Sequence, residues 1–184
     1  KTDIDENGGV AVITATISAV QSKDVTIPLT VTGTATIDTD YSTAFTSKGT
    51  STVAGGNGNG SAFNQFSYPS GVALDSLGNI YVADENYRIM KWAPDGSVGV
   101  LVAGGNGSGS AINQFSSPYG ITLDSLGNIY VSDWNNQRVM KWAPSASEGV
   151  LVAGGNGSGS ATNQFSNPYG VTLDSSENIY VADT

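Results

Sequence analysis

The chain of 184 residues has neither cysteine nor histidine, which leaves carboxylates, amides, hydroxyls, aromatic rings and seven lysines and arginines to do any chemistry. No Ser-His-Asp or Cys-His nucleophile system can be assembled from it, and no Cys/His zinc site. The metal chemistry left is that of oxygen donors, which suits calcium or magnesium. Asp84, Asp133 and Asp183 recur at corresponding positions. They either form a ring of carboxylates able to hold a cation, or each fixes its own turn by accepting backbone N–H bonds; the second reading needs no ligand. A second group sets aromatic rings among amides: Asn86 and Tyr87, then Trp134, Asn135 and Asn136, with Tyr119 and Tyr169. In loops, that mixture suits a sugar or peptide contact. The bland alternative is that Trp134 packs on the neighbouring loop. Trp92 and Trp142 fall inside strand-like segments and read as core.

Charge narrows the partners. The chain carries 7 Lys+Arg against 16 Asp+Glu, a formal net charge of −9. Nucleic-acid affinity rests largely on neutralising phosphates, so no nucleic-acid partner is expected. The absence of cysteine excludes a disulfide framework without fixing the compartment. No apolar run approaches the roughly 18–20 residues of a membrane helix, so no transmembrane segment is expected in this chain.

These side chains are positioned by an internal repeat. Val53-Ala54-Gly55-Gly56-Asn57-Gly58 returns from Val102 and again from Val152. Residues 102–134 and 152–184 align without gaps at 26 identities in 33, in turns as much as in strands. Each period reads as four short strands, in the first copy Gly71–Asp75, Asn79–Asp84, Arg88–Ala93 and Val98–Ala103. Asp75-Ser76-Leu77-Gly78-Asn79 and Ala93-Pro94-Asp95-Gly96 supply turns between them. No stretch has useful helical periodicity. Four strands in a period of about 40–50 residues is the pattern of a β-propeller blade.

The segment Asp-Ser-Leu-Gly-Asn-Ile-Tyr-Val-(Ala/Ser)-Asp, followed by Asn86-Tyr87-Arg88-Ile89 or Asn136-Gln137-Arg138-Val139, closely resembles the NHL repeat. The upstream Ala-Gly-Gly and Phe-Ser-x-Pro-x-Gly block is similar to the longer bacterial form of that repeat. Two departures stand out. Tyr87 or Gln137 replaces the histidine of the signature, and Glu177 replaces the turn glycine of Gly78 and Gly127. If that turn needs positive φ, Glu177 costs roughly 1 kcal/mol relative to glycine. The phase places Ser51–Ala54 in a fourth-strand position, and Thr184 follows the second strand of the third copy. A closed ring has four to eight blades, so the chain is expected to be cut from a longer protein, with self-association through its open blade edges as a consequence.

Residues 1–50 differ in character. Ala11, Ile13, Ala15 and Ile17, then Val25, Ile27, Leu29 and Val31, alternate as antiparallel strands with one buried face. Glu6-Asn7-Gly8-Gly9 and Gly33-Thr34-Ala35-Thr36-Ile37-Asp38-Thr39-Asp40-Tyr41 resemble the Calx-β motif. That resemblance implies the first half of a β-sandwich, with Glu6 and Asp40 matching carboxylates that bind calcium in some members. Two carboxylates fall short of the six to eight oxygens calcium takes, so calcium is the one cofactor considered, at an incomplete site.

The expected fold is therefore all-β: an incomplete β-propeller of NHL-type four-stranded blades over residues 51–184, preceded by a partial Calx-β-like β-sandwich over 1–50. The repeats run over about 53–101, 102–151 and 152–184. In such blades the second-to-third strand loop and the blade-to-blade connection emerge at one end, which gathers Asn86, Tyr87, Trp134, Asn135 and Asn136 with Tyr119 and Tyr169. The glycine-rich stretches 104–118 and 154–168 join them as flexible loops anchored by Phe115 and Phe165. Neither a phosphate-cradling fingerprint nor a β-roll calcium repeat fits their spacing. Asn59-Gly60-Ser61, Asn106-Gly107-Ser108 and Asn156-Gly157-Ser158 are glycosylation sequons only in a eukaryotic source.

Together these features predict a non-catalytic binding or adhesion module of a larger secreted or cell-surface protein, its protein or glycan ligand on the loop face. The alternative is a fragment of a metal-dependent propeller enzyme, since relatives of the repeat include lactonases and an amidating lyase. The metal-binding histidines that the lyase resemblance implies have no counterpart here.

Overall fold

The computed structural model describes residues 52–94, 96 and 98–184. The strands expected in residues 1–50, with Glu6 and Asp40, lie outside the described residues.

Alternating β-branched and aromatic residues, punctuated by Asp, Ser, Gly and Asn, fold as short antiparallel strands. β1 (Gly71–Leu74), β2 (Ile80–Asp84), β3 (Arg88–Trp92) and β4 (Val100–Gly104) form one four-stranded sheet in that order. β5 (Pro118–Leu123), β6 (Ile129–Asp133), β7 (Arg138–Trp142) and β8 (Val150–Gly154) repeat it, and β9 (Gly170–Leu173) pairs with β10 (Ile179–Ala182). The fold is all-β, with antiparallel four-stranded blades consistent with an incomplete propeller. Among the described residues no helix is long and apolar enough to cross a membrane.

Two expectations change locally. Thr52–Ala54 are not in a strand, although their counterparts in β4 and β8 are. Those counterparts pair with β3 and β7, and Thr52–Ala54 have no such partner among the described residues. The loop after β6 is a 3-10 turn (Trp134–Asn136), closed by the Gln137 N–H donating to the Trp134 carbonyl at 3.3 Å with Gln137 left-handed at φ 51°. The additional residue of this copy is taken up in that turn.

The first strands of successive sheets pack side by side, and the sheets bury apolar faces against each other. At the first seam Tyr81, Ala83, Ile89 and Ala103 meet Phe115, Ile121, Val131, Met140 and Trp142. At the second, Tyr130 and Val139 meet Val171, flanked by Phe165 and Leu173. Trp142 and Trp92 are both core, packed on Phe115 and Phe66 at centroid distances of 5.6 and 4.6 Å. One tyrosine position shows how burial depends on the strands and sheets around it: Tyr81 and Tyr130, with a third strand beside them and the next sheet over them, are 6% and 3% exposed, whereas Tyr180, which has neither among the described residues, is 55% exposed. The seams are narrow where the first strands meet. A Cβ at Gly71 or Gly120 would run into the backbone carbonyl of Tyr119 or Tyr169.

The β1–β2 turn is organised by Asp75. Its Oδ1 accepts the N–H groups of Leu77 and Asn79 at 3.0 and 2.9 Å, and its Oδ2 accepts Asn79 Nδ2 at 2.7 Å and the Tyr81 hydroxyl at 3.2 Å. Burial works against ionisation of this carboxyl, but these hydrogen bonds outweigh it and bring its pKa from 3.8 to about 2. Asp124 repeats the arrangement with Leu126, Asn128 and Tyr130, and Asp174 with Ser176, Asn178 and Tyr180. Both are lowered in the same direction. Gly78 and Gly127 sit at φ 79°, and Glu177 holds the same left-handed backbone at φ 63°.

Glu177→Gly is therefore expected to stabilise the protein by about 1 kcal/mol in urea denaturation, and Gly127→Ala to destabilise it by a similar amount. Because the folded pKa of Asp75 lies below its unfolded value, its contribution is full at neutral pH and is lost as pH falls from about 4 toward 2. A melting-temperature profile over that range is expected to fall less steeply in Asp75→Asn than in the native chain; equal slopes would contradict it.

Candidate functional site

At the opposite end of the first two blades, a carboxylate and a guanidinium face each other across the β2–β3 and β6–β7 hairpins. Asp84 is the direct cross-strand partner of Arg88, and Asp133 of Arg138. Arg88 Nε donates to Asp84 Oδ2 at 2.8 Å and Arg138 Nε to Asp133 Oδ2 at 2.9 Å. Both aspartates are fully buried and both arginines nearly so. The rest of each guanidinium points into the glycine-rich segment of its own repeat. Arg138 Nη1 donates to the Ser110 carbonyl at 2.6 Å, and Nη2 to those of Ala111 and Gln114 at 3.1 and 2.9 Å. Arg88 does the same with Ser61, Ala62 and Gln65. Charge-assisted bonds of this kind are the strong ones, and here they engage four of the five N–H donors of each guanidinium.

The carboxylate's other oxygen holds the segment that leads into the blade's first strand. Asp84 Oδ1 accepts the N–H groups of Ser67 and Asn86 at 2.8 and 3.2 Å; Asp133 Oδ1 accepts those of Ser116 and Ser117 at 2.9 and 3.2 Å. Asp183 Oδ1 accepts the Ser166 N–H at 2.6 Å. Asp84 thus holds its own turn through Asn86, and all three aspartates tie down the segment that leads into the first strand of their blade. The arginine was the residue that sequence reasoning missed. Its signal was an Asp and an Arg on either side of a three- or four-residue hairpin loop, in register to pair.

The glycine-rich stretches are folded loops rather than loose tethers. Asn106 Nδ2 donates to the carbonyls of Gly104 and Asn113 at 3.3 and 3.0 Å, and Gln114 Nε2 returns to the Asn106 carbonyl at 2.9 Å. Asn57 with Gln65 and Asn156 with Gln164 repeat the pattern. Amides at these asparagines carry the loop's internal bonding.

The residues singled out as ligand contacts separate into two groups. Asn86 and Asn136 face inward: their Nδ2 groups donate to the carbonyls of Gly60 and Gly109 at 3.0 and 2.9 Å and to the adjacent aspartates. Tyr87 is left-handed at φ 61° and packs against the first-seam core. Tyr119, Trp134 and Tyr169, by contrast, come together at the top of the second seam. Tyr119 and Tyr169 meet edge-on at 4.9 Å, and Trp134 lies 6.2 Å from each. Tyr169 is 45% exposed, and Asn135 stands exposed beside the cluster, its Nδ2 on Ser117 Oγ at 3.0 Å. The buried Trp134 Nε1 has no hydrogen-bond partner.

This seam differs from the first. Tyr119 and Tyr169 correspond to Ser70, whose Oγ ties the first seam by donating to the Pro118 carbonyl at 2.8 Å. With tyrosine at that position, the second seam is tied from the other strand: Ser132, at the position of Ala83, donates to the Tyr169 carbonyl at 2.6 Å. Trp134 stands in the place of Glu85. Gln137, in the place of Tyr87, accepts the Asn167 N–H at 2.6 Å and so ties the blade-two loop to blade three.

The NHL family model and one solved structure of similar fold agree with this architecture. NHL repeats are found by their family model at residues 66–88 and 115–142. A solved auxiliary nutrient binding protein from Bacteroides thetaiotaomicron VPI-5482 is similar in fold at 14% identity and TM-score 0.50, over 61% of this chain and 34% of its own. A structural genomics protein of unknown function from the same organism gives 24% identity and TM-score 0.49, over 58% of this chain and 30% of its own. The chain thus spans about a third of the length of either structure. Comparison with curated proteins finds no match. The Calx-β resemblance of residues 1–50 gains no support.

Arg138→Met leaves Asp133 buried without its partner and is expected to cost about 3–5 kcal/mol in urea denaturation. Arg138→Lys should recover only part of this, since an ammonium cannot reach the carboxylate and three carbonyls at once. Full recovery by lysine would show that charge alone matters here.

Proposed function

We propose that the chain is a non-catalytic binding module of a secreted or cell-surface protein, and that its protein or glycan ligand is held on the loop face at the second seam. The observation that carries this reading is the Tyr119–Trp134–Tyr169 cluster, in which Tyr169 is exposed and Tyr119 and Trp134 are partly buried, on a scaffold braced from both blades. Aromatic side chains with a polar edge supply large contact area at little conformational cost. The NHL repeats and a solved structure of similar fold described as a nutrient binding protein support a binding role in general terms.

The enzyme alternative has less in its favour. A metal-dependent lactonase-like site needs carboxylates free to converge on a cation, and Asp84 and Asp133 are engaged by arginine and backbone N–H groups. No cofactor is needed for the proposed role.

The test is to probe parallel glycan and protein arrays with the native chain and with Trp134→Ala. Loss of about 10- to 100-fold in affinity for the retained ligand is expected, the range for truncating a central aromatic contact. Equal binding by both chains would place the ligand elsewhere and sink the assignment.

A further inference from the structure

We propose that the β10 edge of the third blade is a docking site for an extended polypeptide segment of the pattern Arg-apolar-apolar-Lys-Trp, which joins the sheet as an antiparallel third strand. This edge is separate from the aromatic cluster of the second seam, and its occupancy does not depend on the ligand proposed there.

β2 and β6 each lie between two strands, whereas β10 pairs with β9 alone among the described residues. Such an edge offers a row of unpaired N–H and carbonyl groups, which an added strand can satisfy. Tyr180, Ala182 and Asp183 stand exposed along it, where their counterparts Tyr130, Ser132 and Asp133 are buried. The first two blades show which side chains occupy this place. β3 reads Arg-Ile-Met-Lys-Trp and β7 reads Arg-Val-Met-Lys-Trp. In blade two, Arg138, Met140, Lys141 and Trp142 lie opposite Asp133, Val131, Tyr130 and Ile129. Blade three carries the same four partners as Asp183, Val181, Tyr180 and Ile179.

Charge complementarity selects the cations of the incoming strand. In blade two, Asp133 binds Arg138, and Asp124 lies 3.4 Å from Lys141 Nζ, which also sits 4.9 Å from the Tyr130 ring centroid. Blade one repeats this with Arg88 on Asp84 and with Lys91 beside Asp75 and Tyr81. Asp183, Asp174 and Tyr180 hold the corresponding places in blade three, and no Lys or Arg pairs with either carboxylate among the described residues. The arginine's other acceptors are in place as well. Asn156 and Gln164 close the third glycine-rich loop as in the first two repeats. That loop carries the carbonyls of Ser160, Ala161 and Gln164, counterparts of the three that receive Arg138. Phe165 stands in the place of Phe115, the ring on which Trp142 packs. An arginine arriving here meets acceptors that are already ordered, which lowers the cost of binding.

A second copy of the chain meets these requirements poorly. Its strands of the right pattern, β3 and β7, already lie between two neighbours in their own sheets. Pairing β10 with β10 of another copy supplies no cation, since Ile179–Ala182 contains none. It also sets two chains of net charge −9 against each other. The occupant is therefore an extended, cationic segment that is not already part of a blade.

The test titrates the full chain into a fluorescent peptide with the sequence of residues 138–144, Arg-Val-Met-Lys-Trp-Ala-Pro, and follows its anisotropy. A scrambled peptide of the same composition and a peptide carrying Arg138→Met are run beside it. Saturable binding of the native-order peptide is expected, weakened about tenfold or more in either control, the scale for losing a hydrogen bond to a charged group. Asp183→Asn in the chain is expected to weaken the native-order peptide by a similar factor. Equal binding of native-order and scrambled peptides would reduce the effect to attraction between opposite charges and overturn the proposal, as would the absence of binding. Binding that survives Asp183→Asn unchanged would move the peptide off this edge. Light scattering on the chain alone checks the competing occupant: a dimer that excludes the peptide would assign the edge to a second copy and overturn the proposal.

Discussion

The buried Asp–Arg pair inside each hairpin, 84 with 88 and 133 with 138, is the contact on which the loop face depends. A glycine-rich segment has much conformational entropy to lose and few side chains with which to offset the loss. Left to itself, the stretch between blades would not hold one shape. The guanidinium changes this by gathering three carbonyls of that stretch, while its aspartate gathers the N–H groups that follow. A buried ion pair is a weak source of stability, since desolvation offsets much of the attraction. Its value here is geometric: in each of the first two blades it ties sheet, hairpin and loop into one unit.

Repetition then sets what a single blade cannot. Each sheet has two apolar faces, and only a neighbouring sheet buries them. Tyr81, Tyr130 and Tyr180 occupy one position of the repeat, yet the first two, paired on both sides and packed at a seam, are buried, whereas Tyr180, paired on one side only, is exposed. Stability is thus shared across seams rather than held within blades, as in other repeat architectures. The seams are also where near-identical copies can diverge without disturbing the strands. Ser70 and Ala83 at the first seam become Tyr119 and Ser132 at the second: the tethering hydroxyl moves to the facing strand and the vacated position takes a ring.

Much of this was legible in the residues. The period, the four strands, the turns and the end of the blade that gathers the loops all follow from hydrophobic alternation and turn chemistry, which are local. The left-handed backbone at Glu177 was readable because its counterparts are glycines. Trp142 and Trp92 were recognisable as core from their place inside strands. Asn86 and Asn136 were less legible. An amide in a loop looks the same whether it faces solvent or a carbonyl, and here the carbonyls belong to glycines more than twenty residues away.

By itself, then, the sequence determined the blade: its strands, its turns and the end at which its loops emerge, because neighbouring residues impose these through backbone sterics and periodic burial. Only the tertiary structure decided which side chains meet. Arg138 reaches Ser110, Gln137 reaches Asn167, and Tyr119, Trp134 and Tyr169 converge from separate strands and loops. Such meetings depend on how one sheet stacks on the next and how a loop folds back, and distance in space between residues far apart in the chain is not written in their spacing along it.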